Sequence, residues 1–93
     1  MMFQPSYTKQ FRKDINRLQK SGSKDIEKVK AVIKLLIERK QLDPSYKDHQ
    51  LIGNFKNRRE CHIRPDLLLV YKVDKKEMTI IFERTGSHSD IFG

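Results

Sequence analysis

The apolar residues of this 93-residue chain change their spacing at Leu42-Asp43-Pro44, and that change divides the fold in two. Upstream, Phe11, Ile15 and Leu18 recur at i, i+4 and i+7, which marks one face of an amphipathic helix. Ser6 or Thr8 is its expected cap and Gly22 its expected stop. A second helix is expected from about Lys24 to Lys40, where Ile26, Val29, Ile33, Leu36 and Ile37 form a stripe widened by Val32 and Leu35. Ser23 is its expected N-cap, and Asp25 and Glu27 fall in the first turn, where negative charge suits the helix dipole. Proline then forbids further helix, and the downstream chain turns to short β-type runs.

Residues 54 to 57 read as the start of one strand, Arg59 to Arg64 alternates polar and apolar, and Leu67 to Val73 is the near-continuous apolar run of a central strand. Asp74-Lys75-Lys76-Glu77 reads as a hairpin turn into Met78 to Arg84. Residues 3 to 7 suit a short opening strand and residues 87 to 93 a short tail. The expected fold is a single α+β domain over residues 1–93, with a two-helix N-terminal hairpin packed on a small twisted, mainly antiparallel sheet. Alternation puts Cys61 and Ile63 on the core face and Glu60, His62 and Arg64 on the other. It also puts Ile80, Phe82 and Arg84 on one face, with Arg84 at the strand end able to leave the core for the rim.

Charge sharpens this division. The chain carries 20 Lys and Arg against 12 Asp and Glu, a net +8. Residues 9 to 40 hold eleven of those cations and four of the anions, so the helices read as an electrostatic docking surface for a polyanion and the sheet as the seat of chemistry. The single Cys61 excludes an intrachain disulfide and reads as a small buried strand residue. No apolar run approaches the ~18 to 20 residues that span a bilayer, and the N-terminal residues lack the plan of a secretory signal, so a cytoplasmic protein without membrane partners is expected.

His49, His62 and His88 all fall in the β-rich half, each with Asp, Glu or Arg close by: Asp48, Glu60, Arg64, Asp66, Arg84 and Asp90. Imidazole alone among side chains takes and gives a proton near neutrality when unperturbed. RNA carries its own 2′-hydroxyl nucleophile. Its cleavage without a metal needs a base, an acid and fixed positive charge on the phosphate, which two histidines and an arginine supply. Zinc held by the histidines and Asp66 is the rival chemistry, but no His-x-x-x-His or paired-Cys spacing supports it, so neither metal nor cofactor is expected. Two other readings are a non-catalytic basic nucleic-acid binder with incidental histidines, and a protein whose basic face serves only an acidic partner.

Four runs, Tyr46-Lys47-Asp48-His49-Gln50-Leu51, Arg59-Glu60-Cys61-His62-Ile63-Arg64-Pro65-Asp66, Leu69-Val70-Tyr71 and Phe82-Glu83-Arg84-Thr85-Gly86-Ser87-His88 with Phe92-Gly93, together resemble the YafQ-type toxins among the RelE-like mRNA interferases of bacterial toxin–antitoxin modules. The resemblance implies a RelE-like fold and ribosome-dependent cleavage of translated mRNA in the decoding site. It implies a catalytic cluster of His49, His62, Asp66 and His88, with Arg84 on the phosphate, Phe92 contributing near the C-terminus, and Glu60, Arg64 and Arg59 in support. Glu60 stands where some relatives have Asp, and Leu67 where some have Trp. It further implies a tightly bound antitoxin of ribbon-helix-helix, DinJ- or RelB-like type with an acidic wrapping tail, through which the complex meets operator DNA and represses its own operon.

Overall fold

The apolar run Leu67–Tyr71 is buried on both sides, which is why it reads as continuous rather than alternating and why it takes the centre of the sheet. The computed structural model describes residues 1–22 and 24–93. Strands β1 (Gln4–Tyr7), β2 (His49–Gln50), β3 (Arg59–Arg64), β4 (Leu67–Asp74) and β5 (Thr79–Gly86) form one sheet in the order β1-β5-β4-β3-β2. β1 runs parallel to β5 and every other pair is antiparallel. The helices are α1 (Lys9–Lys20), α2 (Asp25–Ile37) and α3 (His88–Phe92).

Of the two expected caps, Thr8 starts α1: its Oγ1 accepts from Phe11 N–H at 3.0 Å and donates to the Glu83 carbonyl at 3.0 Å, tying the helix start to β5. Gly22, at φ +71°, follows the helix end. The position before α2 is Lys24, without a side-chain capping bond, and the expected cap Ser23 lies outside the described residues. α2 ends at Ile37 rather than near Lys40 because Arg39 adopts left-handed backbone, φ 61°. Its N–H reaches Leu36 O (3.1 Å) and that of Lys40 reaches Leu35 O (2.9 Å), the paired bonds of a Schellman stop. The Arg39 guanidinium lies 5.2 Å over the Phe3 ring, within cation–π range.

One face of the sheet carries Cys61, Ile63, Leu67, Leu69, Tyr71, Ile80 and Phe82, packed against Phe11 of α1 and Val29, Val32, Ile33 and Leu36 of α2. Each such side chain contributes roughly 1.5–3 kcal/mol on burial, so this face dominates stability. The other face carries a smaller cluster, among the described residues Leu68, Val70 and Ile91, flanked by Leu51 and Phe92.

Two β-bulges upset the simple alternation. In β3, His62 pairs with Leu68 and Arg64 with Leu67, leaving Ile63 as an extra residue. In β5, Phe82 pairs with Tyr71 and Arg84 with Val70, leaving Glu83 extra. An extra residue reverses the facing of everything beyond it. Arg64 therefore shares the helix-facing side with Leu67, not the side of Glu60 and His62. Arg84 moves off the side of Ile80 and Phe82 and joins Val70.

Other expectations are corrected as well. Residues 54 to 57 do not begin a strand; a 3-10 turn, Gly53–Phe55, stands there, entered through Gly53 at φ +71°. The two-residue β2 replaces a plain loop around His49, and the tail is the helix α3.

Candidate active site

Pairing across the sheet lines up His49 (β2), Glu60 (β3), Val70 (β4) and Arg84 (β5) in one transverse row. His62, Leu68 and Gly86 form the next row on the same face. With strands about 4.8 Å apart, residues some 35 positions distant in sequence thus share a patch little more than 14 Å across.

His49 and His62 face each other with ring centres 6.3 Å apart. The His49 Nδ1–H donates to the Lys47 carbonyl at 2.7 Å, and Nε2 lies 3.1 Å from Glu60 Oε2. A carbonyl only accepts, so Nδ1 is the donor in the contact with Lys47, and Nε2 is the ring atom that faces the carboxylate. Glu60 is buried, and among the described residues its Oε1 has no hydrogen-bond partner. The two side chains form a close couple, with one carboxylate oxygen engaged and, among the described residues, one without a partner.

Asp48 pins β2 beside this couple. One of its oxygens accepts from the buried Tyr71 hydroxyl at 2.5 Å, and the other from Arg59 Nε and Nη2 at 3.2 and 2.9 Å. Burial, then the Asp48 carboxylate, pushes the Tyr71 hydroxyl's pKa upward, so it remains a proton donor. The hydrogen bond to Asp48 raises that of Arg59. Arg59 thus braces the strand carrying His49 and itself pairs opposite Tyr71 on the helix-facing side.

Arg84 is held along one side by two partners. Nε and Nη2 donate to Asp14 of α1 at 2.9 and 3.3 Å, and Nη2 also reaches the Asp90 carbonyl at 3.2 Å. Asp14 is the largest cause of its raised pKa. Beyond it, Ser87 and Asp90 form a reciprocal capping box that starts α3 with His88 at its first position. The Ser87 backbone N–H holds the Asp90 carboxyl below the usual carboxylate range. The His88 ring sits 4.9 Å from Phe92, and Phe92 lies edge-on to Phe55 at 5.0 Å. Gly86, at φ +152°, sits where a Cβ would be crowded, 3.0 Å from Arg17 Nη2 and 3.1 Å from Asp90 Oδ2.

The structure therefore brings His49, Glu60 and His62 together, with Arg84 in the His49–Glu60 row and His88 just past Gly86, and it sets Asp66 and Arg64 apart. Asp66 lies in the exposed β3–β4 turn and pairs with Arg64 at 2.7 Å. Arg64 also forks onto Asp25 of α2, at 3.0 and 2.7 Å, its pKa raised chiefly by that bond. Beside His62 a groove opens between the 3-10 turn Pro44–Tyr46 and the end of β3, lined by Ser45, Tyr46, Lys47, Ile63, Arg64 and Pro65. Asp14 escaped sequence reasoning because nothing in a helix pattern distinguishes a buried Asp from a surface one. The α3 start was readable from Ser87-x-x-Asp90. Cys61 is wholly buried, its thiol pushed up to about 12 mainly by burial. Among the described residues, no group of three or more His, Cys, Asp or Glu is arranged to hold a metal ion, and no helix is long and apolar enough to cross a membrane.

Comparison with known proteins places this arrangement. A family model described as a bacterial toxin of type II toxin–antitoxin system, YafQ, matches residues 3–93. The mRNA interferase toxin YafQ of Escherichia coli (strain K12) is 42% identical over 88 residues, covering 94% of this chain and 92% of that protein. The crystal structure of the E. coli DinJ-YafQ toxin-antitoxin complex contains a chain matching with a TM-score of 0.89 at 38% identity, each chain fully covered. A metal-bound toxin from Helicobacter pylori matches with a TM-score of 0.89 at 44% identity, over 98% of this chain and all of that one. The fold is that of a small α+β toxin. The chain belongs to the YafQ family of type II toxin–antitoxin toxins.

Proposed function

We propose that this chain is an mRNA endoribonuclease that cleaves translated message on the ribosome by metal-independent acid–base catalysis, held inactive by a cognate antitoxin. The naming of its E. coli relative as an mRNA interferase and the occurrence of a YafQ chain in complex with DinJ support the class and the partner. The observation that carries the mechanism is the His49–Glu60 contact at 3.1 Å in one row with Arg84, with His62 facing it and His88 beyond. A proton leaves the ribose 2′-hydroxyl for one imidazole while that oxygen attacks the adjacent phosphorus. A second imidazole protonates the departing 5′-oxygen, giving a 2′,3′-cyclic phosphate and a 5′-hydroxyl. His49 and His88 divide the base and acid roles. Glu60 sets the proton on His49, His62 orients the substrate, and Arg84 bears on the phosphate charge. Arg59 serves through Asp48, and Phe92 as the platform under His88. Asp66 and Arg64 pair with each other at the far turn, and Arg64 ties the sheet to α2 through Asp25, so both support the fold around the site and leave the chemistry to the histidines.

The test is incubation with mRNA-programmed ribosomes in excess chelator and mapping of the new ends. Cyclic phosphate and 5′-hydroxyl termini, lost in His88→Ala and His49→Ala, are expected. Intact message, or full cleavage by His88→Ala, defeats the reading.

A further inference from the structure

We propose that Asp14, on α1 and outside the histidine patch, is a positioning residue that aims the Arg84 guanidinium at the scissile phosphate. The inference rests on the reading of Arg84 as the phosphate ligand and adds what holds it. Asp14 is completely buried, on a helix whose other charged side chains are exposed. β1 pairs with β5 only as far as Phe82, and α1 covers the β5 edge that β1 leaves open. There one carboxylate gathers several donors. Oδ2 takes Arg84 Nε at 2.9 Å and the Thr85 N–H at 3.0 Å, while Oδ1 takes Arg84 Nη2 and Arg17 Nη2, both at 3.3 Å, and Gln10 Nε2 at 3.5 Å.

The consequence for Arg84 is directional. Asp14 grips its Nε–Nη2 side, the Asp90 carbonyl adds a second hold on Nη2, and among the described residues Nη1 has no hydrogen-bond partner. A planar guanidinium fixed along one side presents the other at a set angle, which suits phosphate recognition better than a mobile cation.

The charge balance argues against simple attraction. Arg84 and Arg17 face Asp14 and Asp90, so the cluster as a whole adds no net charge. If Asp14 mattered only through its charge, removing it would strengthen RNA binding. If it positions Arg84, removing it slows the chemical step without weakening substrate binding, which is how a group acting in the transition state behaves.

The experiment is a double-mutant cycle on mRNA-programmed ribosomes at a temperature where melting curves show every variant folded. It uses Asp14→Asn, which keeps the volume, Arg84→Ala, and the pair. Expected are a roughly tenfold fall in kcat for Asp14→Asn with KM not raised, and no further fall when it is added to Arg84→Ala. An equal loss from Asp14→Asn in both backgrounds, or unchanged kcat, overturns the proposal. Wild-type cleavage by Arg84→Ala overturns the Arg84 reading itself and this inference with it. Should Asp14→Asn not fold, the wild-type protein decides by NMR of its Arg84 side chain during titration with a non-cleavable 2′-O-methyl dinucleotide. A shift at Nη1 with Nε steady is expected, and a shift at Nε alone overturns the proposal.

Discussion

Two bulges, one in β3 and one in β5, treat two arginines in opposite ways. The extra residue Ile63 carries Arg64 off the histidine-bearing face to the helix side, where Asp25 and Asp66 occupy its guanidinium. The extra residue Glu83 carries Arg84 away from the side of Phe82 and into the row of Glu60 and His49. The same device thus converts one arginine into a brace between sheet and helix and the other into a candidate ligand. Residue type and strand position do not separate the two; the count of residues between pairing partners does.

This contrast is open to direct attack. The largest effect is expected from Arg84→Ala, which should lower mRNA cleavage about 10²- to 10³-fold, the usual consequence of removing one donor that stabilises transition-state charge. A loss under threefold would erase the distinction between the arginines. Gly86→Ala comes next. Its Cβ would press on Arg17 and Asp90, tilting α3 and with it His88, and a shift near 1 Å at a reacting group costs about 10- to 100-fold. Cleavage kinetics and the NMR shifts of His88 measure both parts.

Arg64→Ala is expected to change cleavage less than about threefold, far below an oxyanion-type donor, while lowering the melting temperature through the lost tie to Asp25. A loss comparable to Arg84→Ala would place Arg64 back at the chemistry. Cys61, with its thiol at about 12, should not react with a disulfide reagent at pH 8 in the folded state and should react fully in denaturant.

The smallest effect is at acid pH. Asp90 has a depressed folded pKa, so its contribution is present above the unfolded value, about 3.9, and disappears as pH falls through the folded one. The start of α3 should therefore fray below about pH 4 while the sheet persists, visible as loss of the Ile91 amide signal before those of β4.

Much of this was readable in advance, and the reasons are specific. β3 lies where alternation put it, and β4 runs one residue past the expected end because Asp74 still pairs with Thr79. Thr8 and Gly22 bound α1 by local backbone chemistry. The helix-facing core was legible because burial imposes a period. What escaped is what period does not encode. The two bulges add one residue each, β2 is too short to carry a pattern, and Asp14 is buried by its partners rather than its type. The histidines drew notice by their chemistry, and the structure sets His49 facing His62, yet the separation of Asp66 from both depended on the turn at Pro65, which spacing alone leaves open.

The bond between Asp14 and Arg84 joins residues 70 apart, and β1, at the sheet edge, pairs with β5. A polypeptide still being synthesised holds Asp14 and His49 long before Arg84 or His88 exists. The row that joins His49, Glu60 and Arg84 therefore closes only after β5 has been made, when α1 and β5 can meet across the Asp14–Arg84 bond.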